Sequence, residues 1–506
     1  MAKKNFLYPA EWVKNKPYTT VDEVDIYYTG IANRIYDILK ETKLDTIFAD
    51  PDNMRIAVMS IAGWFEDVIS QTGIWKAFTD ECLKTYGCRL PFFKPGDGYY
   101  ADEINQEDVQ YLLWHNLQTV TRTQRIINPK SPVLALAAEF IYHMLEDEYE
   151  TAPENERLHS YIYDAVEPEE ACHHYVDVAL WFHYKSFFNI ENYDAYLTAN
   201  GEFIQNAHDT PDQIEAVSWG MYATLMLRDH HSPLALTTPE WLARLAKGNA
   251  ALKPWTDVKV RRASCYMVEA VDGDKLTLAD LVDNGKITVD GAADLEFPTK
   301  DFVAGTTTII CEFITFGKRY YRVGTIAVND NDESVANYVA HEKAERSDKN
   351  QKAIYKEFTK AADGNYVMFF KDKAECEKFL TEKVGYSFAQ GVKLPEFKTE
   401  RNIMLMVSPK SGLTVQPGFL GSLNTPRNPY YKKEEAEKQA LSIIARANAI
   451  AYDVVCRMED DGMFADAKFA GCDTPEEARQ LAQDNLQFLT DYFYHQNRKS
   501  LEKIKY

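Results

Sequence analysis

The first clear hydrophobic pattern runs from Thr20 to about Lys43, where apolar residues recur at steps of three and four. Val24 and Ile31 belong to the apolar face, and charged residues occupy the opposite side. This spacing predicts an amphipathic helix packed against a core. Thr20 and Glu23 have the spacing of a capping box, so we expect Thr20 to cap the helix.

A recurring start signal predicts further helices. At four places in the first half of the chain, a side chain that can cap a helix stands directly before a proline and a periodic apolar run. Proline is tolerated in the first helical turn because its missing N–H would have no partner there. The four pairs are Asp50-Pro51, Ser131-Pro132, Thr210-Pro211 and Thr238-Pro239.

These signals predict an all-helical domain over residues 1–252. It lacks the fixed repeat period of a regular solenoid. The longest strongly apolar segment, Val133 to Ala138, is interrupted by Glu139, so it indicates a buried helix instead of a membrane span. Additional helices are predicted near residues 105–127, 170–189 and 212–229.

The apolar spacing changes from helical to alternating after Trp255. Two long runs, Val258 to Val271 and Thr306 to Val328, are rich in β-branched and aromatic residues, and Gly317 divides the second run as a hairpin turn would. We predict a small antiparallel, barrel-like β module over residues 255–330, because closure hides strand edges. Shorter strands are expected at Lys275–Ala279 and Lys286–Val289.

Residues 334–506 form a predicted α+β region. Asp372 and Glu375 have the spacing of a helix cap. The loop from Gly418 to Tyr430 is interpreted as a rigid surface connector, with a functional loop as the alternative. The region is expected to end in two long helices, one from about Lys432 to Asp460 and one that begins at Thr474-Pro475. Strands are predicted at Tyr366–Phe370, Ile403–Val407 and Leu413–Val415.

Composition narrows the function. The chain has 506 residues, 45% of them hydrophobic, which excludes a disordered or fibrous protein. Its 77 acidic and 56 basic residues give a formal charge of −21. Because nucleic acid and anionic lipid attract positive surfaces, we expect a protein partner, with neither nucleic acid nor membrane bound.

The N-terminus and the cysteines point to the cytoplasm. Pro9, Glu11 and Lys14 interrupt the start of the chain before an apolar stretch of signal-peptide length can form. The eight cysteines are scattered without a C-x-x-C pair, which disfavours a zinc ribbon, a thioredoxin-type site and a disulfide scaffold. We expect reduced, mostly buried thiols.

The N-terminal stretch from Trp12 to Tyr18, with the motif Lys16-Pro17-Tyr18, is followed by Asp25-Ile26-Tyr27-Tyr28. It resembles the opening of an uncharacterised domain-of-unknown-function family of gut Bacteroidales. The resemblance implies a bacterial, cytoplasmic protein and transfers no catalytic or binding residue.

The densest histidine region supplies the candidate site: Glu170, His173, His174 and Asp177. Glutamate three positions before histidine is the spacing of carboxylate-bridged metal sites on bundle helices. Glu156 and His159 repeat that spacing, but 11 histidines and 77 acidic residues in 506 give about two such pairs by chance. These four residues are therefore candidate metal ligands or catalytic groups, and satisfied polar side chains are the alternative.

Other polar clusters have simpler interpretations. Glu139, His143 and Glu146 could form a proton shuttle or lie on a solvated helix face. Asp229-His230-His231 is expected at a helix C-terminus, where the negative end of the helix dipole stabilises histidine. Ten acidic residues and one arginine lie between Glu146 and Glu170, a segment that could attract a basic partner or divalent ions.

Catalytic and nucleotide-binding motifs are absent from the sequence. It contains no P-loop, no strand-linked G-x-G-x-x-G and no G-x-S-x-G elbow. We therefore expect a non-catalytic interaction or scaffold protein that needs no cofactor. The alternative is a metal-dependent enzyme or hydrolase with a divalent metal in the helical domain.

Overall fold

A computed structural model gives the fold of the chain. It describes residues 6–48, 50–96, 98–121, 125–190, 192, 196, 201, 210–231, 233–290, 299–347, 349–385, 402–446 and 450–495.

Helices dominate the described residues before the main sheet, as the periodicity predicts. Their bounds are α1 Pro9–Trp12, α2 Glu23–Glu41, α3 Asp45–Phe48, α4 Pro51–Ile69, α5 Ile74–Tyr86, α6 Gln106–Val120, α7 Pro132–Tyr149, α8 Glu156–Tyr163, α9 Ala171–Lys185, α10 Pro211–Arg228 and α11 Thr238–Leu245.

At α4 and α7 the side chain directly before the proline caps the helix, as predicted. The side chain of Asp50 accepts a hydrogen bond from the N–H of Asp52 at the start of α4, and Ser131 accepts one at the start of α7. At α11 the cap lies one residue earlier than predicted. Thr237 and Glu240 form the capping box, which leaves Thr238 inside the first turn.

The predicted cap of α2 is wrong. Asp22, two residues after Thr20, accepts from the N–H groups of Val24 and Asp25 and caps the helix. Thr20 instead accepts hydrogen bonds from Arg157, which is 137 residues away in sequence. A carboxylate is the stronger acceptor at the positive end of the helix dipole, so Asp22 caps the helix in place of Thr20.

Five antiparallel strands form a curled half-barrel in the order β5-β4-β3-β6-β7, and this confirms the strands predicted within 255–330. This sheet has its own hydrophobic cluster, which includes Tyr266, Leu278 and Phe313. Two shorter strands, β1 and β2, pair beside α11, so residues 1–252 are not all-helical as predicted. The strands are β1 His230–His231, β2 Leu236–Thr237, β3 Lys259–Asp272, β4 Lys275–Asp280, β5 Lys286–Asp290, β6 Thr307–Phe316 and β7 Arg319–Asp330.

The half-barrel packs on the helical part through β7 and α10. Gly324 lies in β7 at a φ of 79°, where a Cβ atom would be 2.6 Å from Oγ1 of Thr224 and 3.1 Å from the carbonyl oxygen of Gly220. Only glycine allows this backbone conformation and this close approach together.

The remaining elements form the α+β region. Strands β8, β9 and β10 make an antiparallel sheet in the order β10-β9-β8, and Asp372 caps α14 as predicted. The elements are α12 Glu333–Glu345, α13 Lys349–Ala361, β8 Val367–Phe370, α14 Lys373–Glu382, β9 Ile403–Ser408, β10 Gly412–Pro417, α15 Lys433–Ile444, α16 Tyr452–Asp460, α17 Pro475–Asp484 and α18 Leu486–Tyr494.

The prediction of two long C-terminal helices is wrong. The first ends at Ile444 and another helix begins at Tyr452, and the second is divided at Asn485. Asn485 leaves the helical conformation, accepts from the N–H of Phe92 and donates to the carbonyl of Leu481 on its own helix. The tertiary hydrogen bond with Phe92 accompanies the break in the second helix.

The loop from Gly418 to Tyr430 is not confined to the surface, as the prediction of a surface connector required. Leu420 and Leu423 are buried, and Asn428 donates hydrogen bonds to the carbonyls of both.

One hydrophobic cluster joins the N-terminal helices to the C-terminal ones. Tyr492 on α18 lies 5.7 Å, ring to ring, from His115 on α6, and the Tyr492 hydroxyl is also 2.9 Å from Oγ1 of Thr119. The mainly α fold is confirmed. The boundaries 1–252, 255–330 and 334–506 stay predictions. None of the described helices has both the length and the apolar content to cross a membrane.

Candidate functional site

The predicted metal candidates lie at the start of α9. Glu170 directly precedes the helix, and Glu170, His173 and Asp177 are exposed, while His174 is half-buried on another side. Among the described residues, no three His, Cys, Asp or Glu side chains lie close enough to hold a metal ion. A divalent metal or a catalytic role at these residues stays a prediction.

His174 has a packing role in this structure. Its ring lies 6.1 Å from that of Trp255 and 5.8 Å from that of Tyr161. Burial lowers the pKa of His174, and burial raises the pKa of the neighbouring Asp177 carboxyl. These contacts hold α9 against the segment that leads into the half-barrel.

The other surface histidines lie on solvated helix faces. Nδ1 of His143 is 3.2 Å from Glu146, and both side chains are more than half exposed. Glu139 is exposed on the same helix, and the ring of His159 packs on Tyr163 at 4.8 Å. The arrangement matches the solvated-face interpretation of this cluster.

The predicted helix end at Asp229-His230-His231 is confirmed, since α10 ends at Arg228, but His231 itself lies buried in strand β1. Nε2 of His231 lies 2.9 Å and Nδ1 of His183 lies 3.0 Å from the hydroxyl of Thr238. Burial lowers the pKa of both rings, to about 3 for His183, and keeps them neutral. They are satisfied core histidines.

The sequence did not predict a groove that the structure forms between the N-terminal segment, α4, α9 and α10. Its volume is about 1100 Å³, enough for a small organic ligand. Residues that line this groove include Lys14, Tyr18, Arg55, Lys185, Trp219 and Tyr222.

A small inner cavity of about 30 Å³ adjoins the groove and has room for one or two water molecules. Lys16 and Lys185 line both spaces, so the two spaces meet at these side chains. Trp12, Glu66 and Asp67 also line the inner cavity.

The inner charge cluster comprises Lys16, Tyr18, Asp25, Glu66 and Asn155, and its groups are partnered. Lys16 forms an ion pair with Glu66, and both are more than nine-tenths buried. Asn155 donates to Tyr18 and to Glu66 at 2.8 Å, and Tyr18 donates to Asp25 at 3.0 Å. Burial, together with the charge of Glu66, raises the pKa of Tyr18. This network is built to hold the N-terminal segment.

Asp67 has a structural role despite its unusual pKa. Its carboxylate accepts from the hydroxyl of Thr72 and from the N–H groups of Ile74 and Trp75. These two N–H groups belong to the first turn of α5, so Asp67 caps that helix. Burial raises its pKa to about 6, and these hydrogen bonds oppose the shift. No oxygen of Asp67 needs a further partner.

Lys185 and Trp12 differ from the partnered groups around them. Lys185 is half-buried and has no ion pair or hydrogen-bond acceptor for its ammonium among the described residues. Burial lowers its pKa. Trp12 is 2% exposed, and its indole N–H has no acceptor among the described residues. Two hydrogen-bond donors without acceptors therefore belong to one cavity wall.

Aromatic side chains line the part of the groove that α10 forms. Trp219 on α10 is 48% exposed. Tyr222, one turn further along, stacks on Tyr184 with ring centroids 3.7 Å apart, and this stacking fixes its orientation. An exposed tryptophan beside a fixed tyrosine is a flat apolar surface that a ring can contact.

A second candidate surface lies on α7. Val133, Leu136 and Phe140 are 41%, 45% and 49% exposed and occupy positions i, i+3 and i+7, so they form a continuous apolar face, called the α7 stripe below. The prediction that the whole segment from Val133 to Ala138 is buried is wrong, because only its other side faces the core.

Acidic residues border the α7 stripe. Glu139, Glu146, Asp147 and Glu150 are exposed, and α7 contains no lysine or arginine. Arg157, the one base of the acidic segment, is already paired with Asp22 at 2.7 Å. The stripe is therefore an apolar face bordered by negative charge toward the C-terminal end of α7.

These features define a mainly α protein with a curled half-barrel, a groove and an exposed apolar helix face. Residues 6–278 and 318–495 match the model of DUF3843, a family of proteins of unknown function. The match covers most of the chain, so the chain belongs to this family, and the resemblance to an uncharacterised family is confirmed. No curated protein and no solved structure matches the chain.

The signal for the α7 stripe was present in the sequence. Val133, Leu136 and Phe140 lie outside the buried face formed by Leu134 and Ile141, which makes α7 apolar on two sides. The groove had no comparable signal, because Lys185 and Trp219 meet only in the folded chain.

Proposed function

We propose that the protein is a non-catalytic, cytoplasmic bacterial interaction protein that binds a basic amphipathic helix of a partner protein on the α7 stripe. The observation that carries the proposal is the exposure of Val133, Leu136 and Phe140 at helical spacing. Contiguous exposed apolar patches mark interaction sites, whereas single exposed apolar residues are ordinary. A helix that docks in this way is recognised by anchors at i, i+3 and i+7.

The charge around the stripe selects the partner's chemistry. Glu139, Glu146 and Asp147 would attract lysine or arginine side chains of a bound helix. Charges at the rim of an interface govern encounter rates and specificity more than affinity. A second copy of α7 would bring the same acids together and be repelled. The proposal is therefore a basic partner of different sequence.

Photocrosslinking in the native cell tests this proposal. A photoreactive amino acid replaces Leu136, and in a matched control it replaces Leu83, a leucine on α5 that is 43% exposed against 45% for Leu136. We expect a covalent adduct to one protein at Leu136 in the cell, and in a lysate of the same cells its yield should fall as salt is added, since screened charges slow encounter. The crosslinked peptide of that protein should be a basic helix.

Two results would overturn the proposal. Adducts of equal yield at Leu83 would show that Leu136 reports only its exposure. A crosslink to a second copy of this chain, or to an acidic surface, would contradict the charge argument.

A further inference from the structure

We propose that the groove between α4, α9 and α10 is a binding site for a small molecule that carries an anionic group on a flat ring. In this arrangement Lys185 holds the anionic group where the groove meets the inner cavity, and the ring lies on Trp219 and Tyr222. The inference is independent of the α7 stripe, which lies on a different helix.

The ammonium of Lys185 has no charged partner among the described residues. A half-buried ammonium without a counter-ion loses hydration that nothing in the described structure returns. The neighbouring Lys16 has a buried carboxylate partner in Glu66, so the fold can neutralise a lysine here and does so for one of the two. A ligand carboxylate or phosphate would supply the missing charge for Lys185.

The second argument is the nearby indole of Trp12. Its N–H is buried and has no acceptor among the residues that the structure describes, although buried polar groups in folded proteins are nearly always hydrogen-bonded. Trp12 and Lys185 line the same cavity, which is wide enough for an oxygen atom or a water molecule next to an anionic group.

The third argument is the apolar end of the groove. Trp219 is half exposed, and Tyr222 is held by its stack on Tyr184. Aromatic rings of ligands stack on such side chains in offset or edge-to-face geometry. A volume of about 1100 Å³ accommodates a mononucleotide or an aromatic acid.

A second large groove, of about 1140 Å³, differs in its buried charges. Glu81 and Arg244 there are paired at 3.1 Å, and Lys84 lies 3.0 Å from Glu81.

Calorimetric titration of the full-length protein tests the proposal. Adenosine 5′-phosphate and indole-3-acetate are the two anionic aromatic probes, which distinguish a phosphate from a carboxylate ligand. Adenosine and inorganic phosphate are titrated separately as the parts of the first probe. We expect at least one anionic aromatic probe to bind about tenfold or more tightly than a ring or an anion alone.

Three variants locate the bound probe. Lys185→Met should weaken binding by about tenfold or more, and Trp219→Leu should weaken it by about fivefold, because one removes the charge and the other the flat surface. Lys343→Met, at an exposed lysine on α12, is the matched control and should leave binding unchanged.

The outcomes decide the matter. Tight binding of one probe that both groove variants weaken supports the site and names its anionic group. Binding of neither probe, or binding that Lys185→Met leaves intact while the protein remains folded, overturns it. Because Trp219 is exposed, its variant should fold even if another variant does not.

Discussion

Lys16 and Lys185 line the same inner cavity and have opposite environments. Lys16 is 7% exposed, forms an ion pair with Glu66 and lies 4.4 Å above the ring of Trp12. Lys185 is less buried but has no charged partner among the described residues. The difference teaches that pairing, more than burial, separates a lysine that stabilises the fold from one that is available to a ligand.

The largest effect is expected from breaking the partnered side of this comparison. Lys16→Met leaves Glu66 as an uncompensated buried charge, which should lower the free energy of unfolding by about 3–5 kcal/mol. Urea denaturation followed by tryptophan fluorescence measures the change.

The double variant Lys16→Met, Glu66→Leu is the control for this prediction. It removes both charges and should recover much of the lost stability, because a buried ion pair and an apolar pair are often of similar stability. A loss below about 1 kcal/mol in the single variant would show that the pair is not structurally important.

Asp108 sharpens the comparison as a buried carboxyl group with hydrogen bonds but without an ion pair in the described structure. It accepts from Tyr99 at 2.9 Å and from Asn105 at 3.1 Å, and burial raises its pKa to about 8. The folded state therefore holds this proton more tightly than the unfolded state does. Stability should fall as pH rises from about 4 to about 8, by at most about 1.4 kcal/mol per pH unit from this group.

Asp108→Asn should flatten that dependence. The amide can accept from Asn105 and donate to the Tyr99 hydroxyl, so the variant and the wild type should be similar near pH 5. Denaturation midpoints between pH 6.5 and 8 are the relevant data, because Asp67, with a pKa of about 6, has largely titrated by then. Parallel pH profiles would contradict the assignment.

Lys185→Met tests the unpartnered side and should have the opposite sign to Lys16→Met. Methionine retains the apolar stem and removes an uncompensated ammonium, so the free energy of unfolding should rise by about 0.5–1 kcal/mol. Thermal denaturation without added ligand gives the comparison. A destabilised Lys185→Met variant would show that Lys185 has a structural partner and would end the contrast with Lys16.

The smallest effect on stability is expected at the α7 stripe. Charge reversal by Glu139→Lys with Glu146→Lys changes exposed side chains only and should alter stability by less than about 0.5 kcal/mol. The same double variant should reduce the yield of the Leu136 crosslink at low salt. An unchanged yield would mean that the partner does not recognise the acids.

Much of the fold was predictable because its signals are local. Asp50, Ser131, Asp372 and Thr474 cap helices at or beside the residue that the sequence indicates. The alternating run from Val258 gave the strands of the half-barrel for the same reason, since side-chain alternation is a property of each strand alone.

The candidate surfaces were predictable only in part. The apolar positions of α7 were visible, but their exposure depends on how little of the helix its neighbours cover. The helix end before His231 was predicted, but the short strand that carries His231 into the core next to His183 was not. The division of the last predicted helix was missed because Asn485 leaves the helical conformation and accepts from Phe92, which is 393 residues away in sequence.

The sequence alone determined where most helices and strands begin, because caps, prolines and apolar periodicity act over a few residues. Only the tertiary structure decided which charges are paired and which apolar faces are covered. Lys16 finds Glu66 across 50 residues, while Lys185 and Trp219 line one groove from two different helices. Such proximity depends on how distant elements pack, and no local pattern encodes it.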